Sequence, residues 1–263
     1  MHEYWQRQDP DKALFTDLIW SRPENRHHAG KLLIVGGNKY GFAAPAEAFS
    51  EAEKAGIGTA RVLLPDSLYK TVGKAFTAGE FAPSTPSGSF ARTALAELLA
   101  MAAWSDGVLL AGDLGRNSET AVLIEQFLQK MPGLITLGKD AVDYCLETPA
   151  ICLDRPETTL IITIAQLQKL AANAKFTPAF TFDMDFLNLV EALHNFTAKH
   201  PANLVMRHLD NVFVAVNGQV STTRYPADQA AWRTKTAAHA ATWWLQNPTK
   251  PFEALTTATH EVL

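Results

Sequence analysis

Lys31-Leu-Leu-Ile-Val35, running directly into Gly36-Gly-Asn-Lys-Tyr-Gly41, decides the fold of this chain. A continuous apolar run that ends in glycines reads as a parallel strand buried on both faces. The sequence then reopens as a helix from Ala43 to Ala55. Glycines at the carboxyl end of such a strand let the backbone approach a ligand, and the new helix turns its first N–H groups toward any anion there. The same succession recurs at Val108-Leu-Leu-Ala111, Gly112-Asp-Leu-Gly-Arg116 and a helix from Thr120 to Lys130, with Asn117-Ser118-Glu119 as its cap. Two such loops predict a crevice along the carboxyl edge of an open sheet. Each loop taken alone also reads as a plain turn. Neither carries the GK[ST] of a phosphate loop or the GxGxxG of a dinucleotide fingerprint.

Working outward, strand and helix signals alternate almost throughout. Strands are predicted at Thr59–Leu64, Gly133–Leu137, Thr158–Thr163, Asn203–His208, Val212–Val216 and Gln219–Thr223, the last two joined by the hairpin signal Asn217-Gly218. Pro83 to Gly88 is a loop, Phe90 to Trp104 a helix, and 164–200 is helical with a break near Phe176 to Phe182. Helices at about Gln229–Leu245 and Pro251–Val262 finish the pattern. Alternating β and α with a late hairpin implies one α/β domain over 1–263, with about 1–25 as an N-terminal extension.

The 263 residues are 47% apolar, which suffices for a large core, and 27 acidic against 23 basic residues give a net charge of −4. No basic stripe points to nucleic acid. No apolar stretch approaches the roughly 18 residues of a membrane span and the first residues show no h-region, so a cytoplasmic protein is expected. Cys145 and Cys152 lack metal spacing and are expected as buried reduced thiols. His27 and His28 precede the first strand and are placed either near the same edge or in solvent. Asp183 and Asp185, with His194 and His200 nearby, invite a metal reading, but helix capping fits their spacing better and no metal is expected. Trp243-Trp244 reads as core.

Taken in order, these pieces resemble the ADP/ATP-dependent NAD(P)H-hydrate dehydratases, of the ribokinase-like carbohydrate kinase superfamily. The resemblance rests on Arg26-His-His-Ala-Gly-Lys-Leu-Leu-Ile-Val-Gly-Gly37, on Tyr40-Gly41, and on Lys54-Ala-Gly-Ile-Gly-Thr-Ala-Arg-Val62. Ala111-Gly-Asp-Leu-Gly-Arg116 is similar to the family's Gly-Pro-Gly-Leu-Gly-Arg, with Asp113 where glycine is usual. Leu137-Gly-Lys-Asp-Ala-Val142 is similar to its Leu-Asp-Ala-Asp-Ala-Leu, keeping Asp140 and losing the first acid to Gly138. Pro251-Phe-Glu-Ala254 and His260 resemble its closing helix. The similarity spans about residue 22 to the end.

Three motifs depart from the family pattern. Its Thr-Pro-His is here Thr163-Ile164-Ala165, its Lys-Gly is Arg207-His208, and its Gly-Thr-Gly-Asp falls on Trp232 to Lys235. That last motif supplies an anion-binding helix start and a general base, neither of which tryptophan and lysine replace. Asp228 is the rival base, with helix capping as its other role.

The resemblance implies a three-layer αβα sandwich and three functional readings. The first is a divergent dehydratase that repairs hydrated NAD(P)H with ADP or ATP, and magnesium. The second is a non-catalytic relative that binds a nucleotide or a partner, and the third a small-molecule kinase. Substrate is then expected at Gly36, Gly37, Asn38, Tyr40, Gly41, Gly112, Asp113, Gly115, Arg116 and Asp140, and nucleotide at Arg207, Thr234, Lys235 and Thr236, with Asp228 as base. Oligomers are common among such proteins, and the sequence fixes no subunit number.

Overall fold

A computed structural model describes residues 3–73, 76–225 and 232–262. In chain order the strands are β1 (Trp5–Gln8), β2 (Lys31–Gly36), β3 (Thr59–Pro65), β4 (Gly79–Ala82), β5 (Gly107–Gly112), β6 (Leu134–Gly138), β7 (Thr158–Ile162), β8 (Asn203–His208), β9 (Asn211–Val216) and β10 (Gln219–Arg224). The α-helices are α1 (Thr16–Trp20), α2 (Ala43–Lys54), α3 (Tyr69–Val72), α4 (Leu95–Trp104), α5 (Ser118–Lys130), α6 (Ala150–Leu153), α7 (Ile164–Asn173), α8 (Phe186–Lys199), α9 (Trp232–Gln246) and α10 (Pro251–Glu261).

The strands form one sheet in the order β1-β10-β9-β8-β7-β6-β5-β2-β3-β4. All neighbours run parallel except β8 with β9 and β9 with β10. This is the expected three-layer sandwich with an antiparallel hairpin near the carboxyl end. The hairpin turn is at Asn217 and Gly218, both at positive φ (47° and 80°) as a two-residue I′ turn needs.

The apolar run of β2 explains the layers. Leu33 and Val35 pack into a core with α4, α5, α7 and α8, and Leu32 and Ile34 pack into one with α2, α9 and α10. Each of these side chains, fully withdrawn from water, contributes about 1.5–3 kcal/mol. Helix α9 is alanine-rich because it is buried nearly all round, and Trp243 and Trp244 are core as expected. Asp185 caps α8 by accepting from the Asn188 N–H (2.9 Å).

Several details differ from the sequence reading. Helix α4 starts at Leu95, after a 3-10 turn over Arg92–Ala94, so its first turn is not where the apolar pattern begins. The first 25 residues add β1 to the sheet edge beside β10, and α1 lays Leu18 on Trp243, Ala254 and Ala258. Cys145 and Cys152 are not separate thiols. The chain folds Cys145 back onto α6, where it forms a disulfide with Cys152 across a Cα–Cα distance of 6.1 Å. His27 and His28 lie in a 3-10 turn ahead of β2, hence at the sheet's amino edge and away from the glycine loops.

The connections fix where a ligand can enter. After β2 the chain crosses through α2 to β3 on one side, while after β5 it crosses through α5 to β6 on the other. The loops leaving β2 and β5 therefore diverge, and a crevice opens between them at the topological switch point.

Candidate functional site

A cavity of about 530 Å³ occupies that switch point, lined by Asn38, Asp113, Gly115, Arg116, Asn117, Ser118, Ala121, Asp140, Asp143 and Tyr144. Strands β2 and β5 come together at its base. The Gly37 N–H donates to the Gly112 carbonyl (3.0 Å), and a Cβ on Gly36 would stand 2.4 Å from that same oxygen. Only glycine allows this approach.

Side chains then lock the second loop. Asp140, at the end of β6, accepts from the N–H groups of Leu114 (2.9 Å) and Gly115 (3.3 Å) through Oδ2. Its Oδ1 is buried with no hydrogen-bond partner among the described residues. Burial pushes the Asp140 carboxyl above its ordinary range, and the charge of Asp113 adds to the rise, against the backbone N–H groups. The Tyr144 hydroxyl donates to the Gly115 carbonyl (2.6 Å) and is pushed up to about 12, first by burial and then by Asp140 and Asp143. Asn38 Nδ2 donates to the Asp113 carbonyl (2.6 Å).

Asp113 stands at φ +58°, and its carboxylate bridges two elements. Oδ2 accepts from the Ala44 N–H in the first turn of α2 (2.8 Å), and Oδ1 pairs with Lys139 Nζ (2.7 Å). The helix start that the sequence offered to a ligand anion is therefore occupied by the chain's own carboxylate. The starts of α5 and α7 are also capped from within. Asn117 accepts from Glu119 and Thr120 at α5, and Thr163 with Gln166 forms a capping box at α7. Gln166 Nε2 reaches on to the Lys139 carbonyl (2.9 Å) and Asp143 Oδ1 (2.7 Å), tying α7 to the loop after β6.

The crevice thus unites Asn38, Asp113, Gly115, Arg116 and Asp140, with Gly36, Gly37 and Gly112 joining the two loops behind them. Tyr40 and Gly41 sit in the tight turn Asn38–Gly41, outside the lining, with the Tyr40 ring 84% exposed under Lys39 Nζ (4.8 Å). Arg207 lies three strands from β5, its guanidinium over the Tyr225 ring at 4.8 Å. Helix α9 begins at the correct edge, since Ala237 Cβ would touch a Cβ on Gly138 at 3.4 Å. Yet Thr234 and Thr236 are buried, and Lys235 Nζ donates to the Val262 carbonyl (2.7 Å) on the helical layer. The structure does not bring these three into the crevice. Asp228 lies outside the described residues. Sequence reasoning missed Asp143, Tyr144 and Gln166. The first two follow directly on the quoted Leu137–Val142 stretch, which was the available signal.

At the starts of α2, α5 and α7 the chain's own side chains hold the positions a nucleotide's phosphates would take, and the cavity carries three carboxylates beside one arginine, Arg116. No group of three or more His, Cys, Asp or Glu that could hold a metal occurs among the described residues. No helix of the described residues is long and apolar enough to cross a membrane.

Outside the crevice, Glu51 of α2 (7% exposed) faces His239 of α9 (5%), with Nε2 3.4 Å from Oε2. Burial drives the imidazole down to about 4, against the pull of Glu51. Burial also raises the Glu51 carboxyl, but the hydrogen bond and charge of Lys54, then His239, outweigh it and hold the group below its ordinary range. A carboxylate paired with Lys54 therefore faces a neutral imidazole. The unfolded histidine binds its proton near pH 6.5, so stability from this group is complete above that pH and is lost as pH falls toward about 4. Urea unfolding is expected to give about 2 kcal/mol less stability at pH 5 than at pH 7.5 from this source, and His239→Leu should flatten that slope.

The sequence matches no family profile and no curated protein. Solved structures do match. A ribokinase-like superfamily protein from Enterococcus faecalis superposes with a TM-score of 0.74 at 12% identity, over 99% of this chain and 87% of that one. The ADP/ATP-dependent NAD(P)H-hydrate dehydratase of Bacillus subtilis, co-crystallised with ATP and Mg²⁺, gives 0.62 at 10% identity, over 90% and 79%. The pyridoxal kinase of the same organism, in an ADP complex, gives 0.57 at 9% identity, over 87% and 88%. The fold of this chain is ribokinase-like.

Proposed function

We propose that this protein is a binding relative of the ribokinase-fold enzymes, and that its crevice holds the hydroxyl- and amide-bearing part of a nucleoside or nucleotide. One observation carries the reading. At the switch point, acceptors and donors suited to hydroxyl and amide groups (Asn38, Asn117, Ser118 and Asp143) converge on one cavity whose loops are fixed by Asp140 and Tyr144. The helix starts at α2, α5 and α7 are taken by the chain's own side chains, so the reading places no phosphoryl transfer on them. Calorimetric titration with adenosine, AMP, ADP, ATP, NADH and NADPH, with and without magnesium, tests it. Ala121→Trp, which fills the cavity from the first turn of α5, is expected to abolish binding and leave the unfolding midpoint within a few degrees. Silence across the panel from folded protein would overturn the reading.

A second reading, a divergent NAD(P)H-hydrate dehydratase, is supported by the fold shared with the Bacillus subtilis enzyme of that name, and it needs Asp228 as its base. Under it Asp228→Asn removes turnover of hydrated NADPH, whereas unchanged turnover sinks Asp228 as base. A small-molecule kinase differs in leaving the phosphoryl group of ATP on a substrate hydroxyl, so a stable phosphorylated product distinguishes it.

A further inference from the structure

We infer that Asp113 sets what the crevice accepts: as a built-in anion between the start of α2 and Lys139, it admits hydroxyl and amide groups and turns away phosphates and carboxylates. The inference rests on the crevice being a ligand site, as proposed above.

Helix α2 runs for 12 residues, carries no acid in its first turn and receives no side-chain cap from Phe42. Its negative partner comes from 69 residues away, where Asp113 Oδ2 accepts from the Ala44 N–H. A helix start with a nearby ammonium is an anion position by electrostatics. Here that position is built from α2 and Lys139, and a carboxylate already sits in it with both oxygens engaged. A ligand phosphate entering beside it would meet a like charge in a partly desolvated pocket, next to Asp140 as well, and the exposed Arg116 is the one cation of that lining to oppose them. The backbone reinforces this placement. Asp113 holds φ +58°, a conformation that glycine adopts without strain, and Asn38 fixes its carbonyl at 2.6 Å. The carboxylate is thus presented at a position where a side chain is costly and glycine would be free.

Inorganic phosphate is the probe, titrated calorimetrically into the wild type, Asp113→Gly and Asp113→Gly/Lys139→Met. Glycine suits the positive φ, so Asp113→Gly is expected to fold. It is expected to bind phosphate at least tenfold more tightly than the wild type, and the double variant to lose that gain. Folded Asp113→Gly that binds phosphate no better than the wild type overturns the inference, as does a gain that survives removal of Lys139. Should the glycine variant fail to fold, Asp113→Asn keeps the side chain and discards the charge. A several-fold gain in phosphate affinity is then expected, and no gain overturns the inference. Adenosine binding to the wild type reports separately on the crevice itself, so failure of that reading and failure of this one are distinguishable.

Discussion

Gly36→Ala is expected to destabilise the protein by about 3 kcal/mol, as overpacking against a backbone that cannot retreat does. The added Cβ would stand 2.4 Å from the Gly112 carbonyl oxygen and 3.4 Å from Pro45. Moving Gly112 aside breaks the Gly37 N–H bond to its carbonyl and disturbs the register of β2 on β5, which already shifts between Val35 and Gly36. The melting midpoint should fall by roughly 6–12 °C. Ligand binding should fall with it, because the two crevice loops spring from this junction. Gly41→Ala is the control. A Cβ there meets nothing within 4 Å, so its effect should stay within about 0.5 kcal/mol. Equal behaviour of the two variants in thermal denaturation would contradict the assigned strand contact.

Asp140→Ala is expected to cost about 2–3 kcal/mol and at least tenfold in ligand affinity. It leaves the N–H groups of Leu114 and Gly115 without their acceptor in a partly buried loop. The cost is moderated because the carboxylate itself is held there against a burial penalty, as its raised pKa records. Asp140→Asn retains one acceptor oxygen and should recover most of both losses. Asp143→Ala removes a carboxylate from the same cavity whose bond is to Gln166 Nε2, and should cost less than about 1 kcal/mol in chemical denaturation. If Asp143→Ala were the more damaging change, Asp140 would not be what holds the loop.

The sequence disclosed those parts of the fold whose signals are local. The Lys31–Val35 run, the Asn117 cap and the Asn217-Gly218 turn each encode their structure within a few residues. Strands β1 and β4 were invisible because each spans four residues, holds one buried side chain and exists by pairing with a distant neighbour. The crevice was legible as two glycine loops on one edge, since strand ends and helix starts are local events. What occupies it was not. The carboxylate of Asp113 reaches α2 across 69 residues, and Gln166 reaches the loop after β6 across 27. The resemblance sets Lys235 at an anion site, whereas in α9 its Nζ donates to the Val262 carbonyl.

Strand β1 also bears on the order of assembly. Trp5 and Gln8 hydrogen-bond to Thr222 and Thr223 across 217 and 215 residues, and Gln8 also reaches the Thr256 carbonyl. On the ribosome the residues of β1 emerge more than 200 residues before β10 exists to receive them. Long-range pairing of this kind is slow because the loop must close before any contact repays its entropy. The central strands β2, β3 and β5 meet such partners early. Docking of β1 at the edge is therefore expected late in the building of this sheet, with Gln8 fastening that strand to α10.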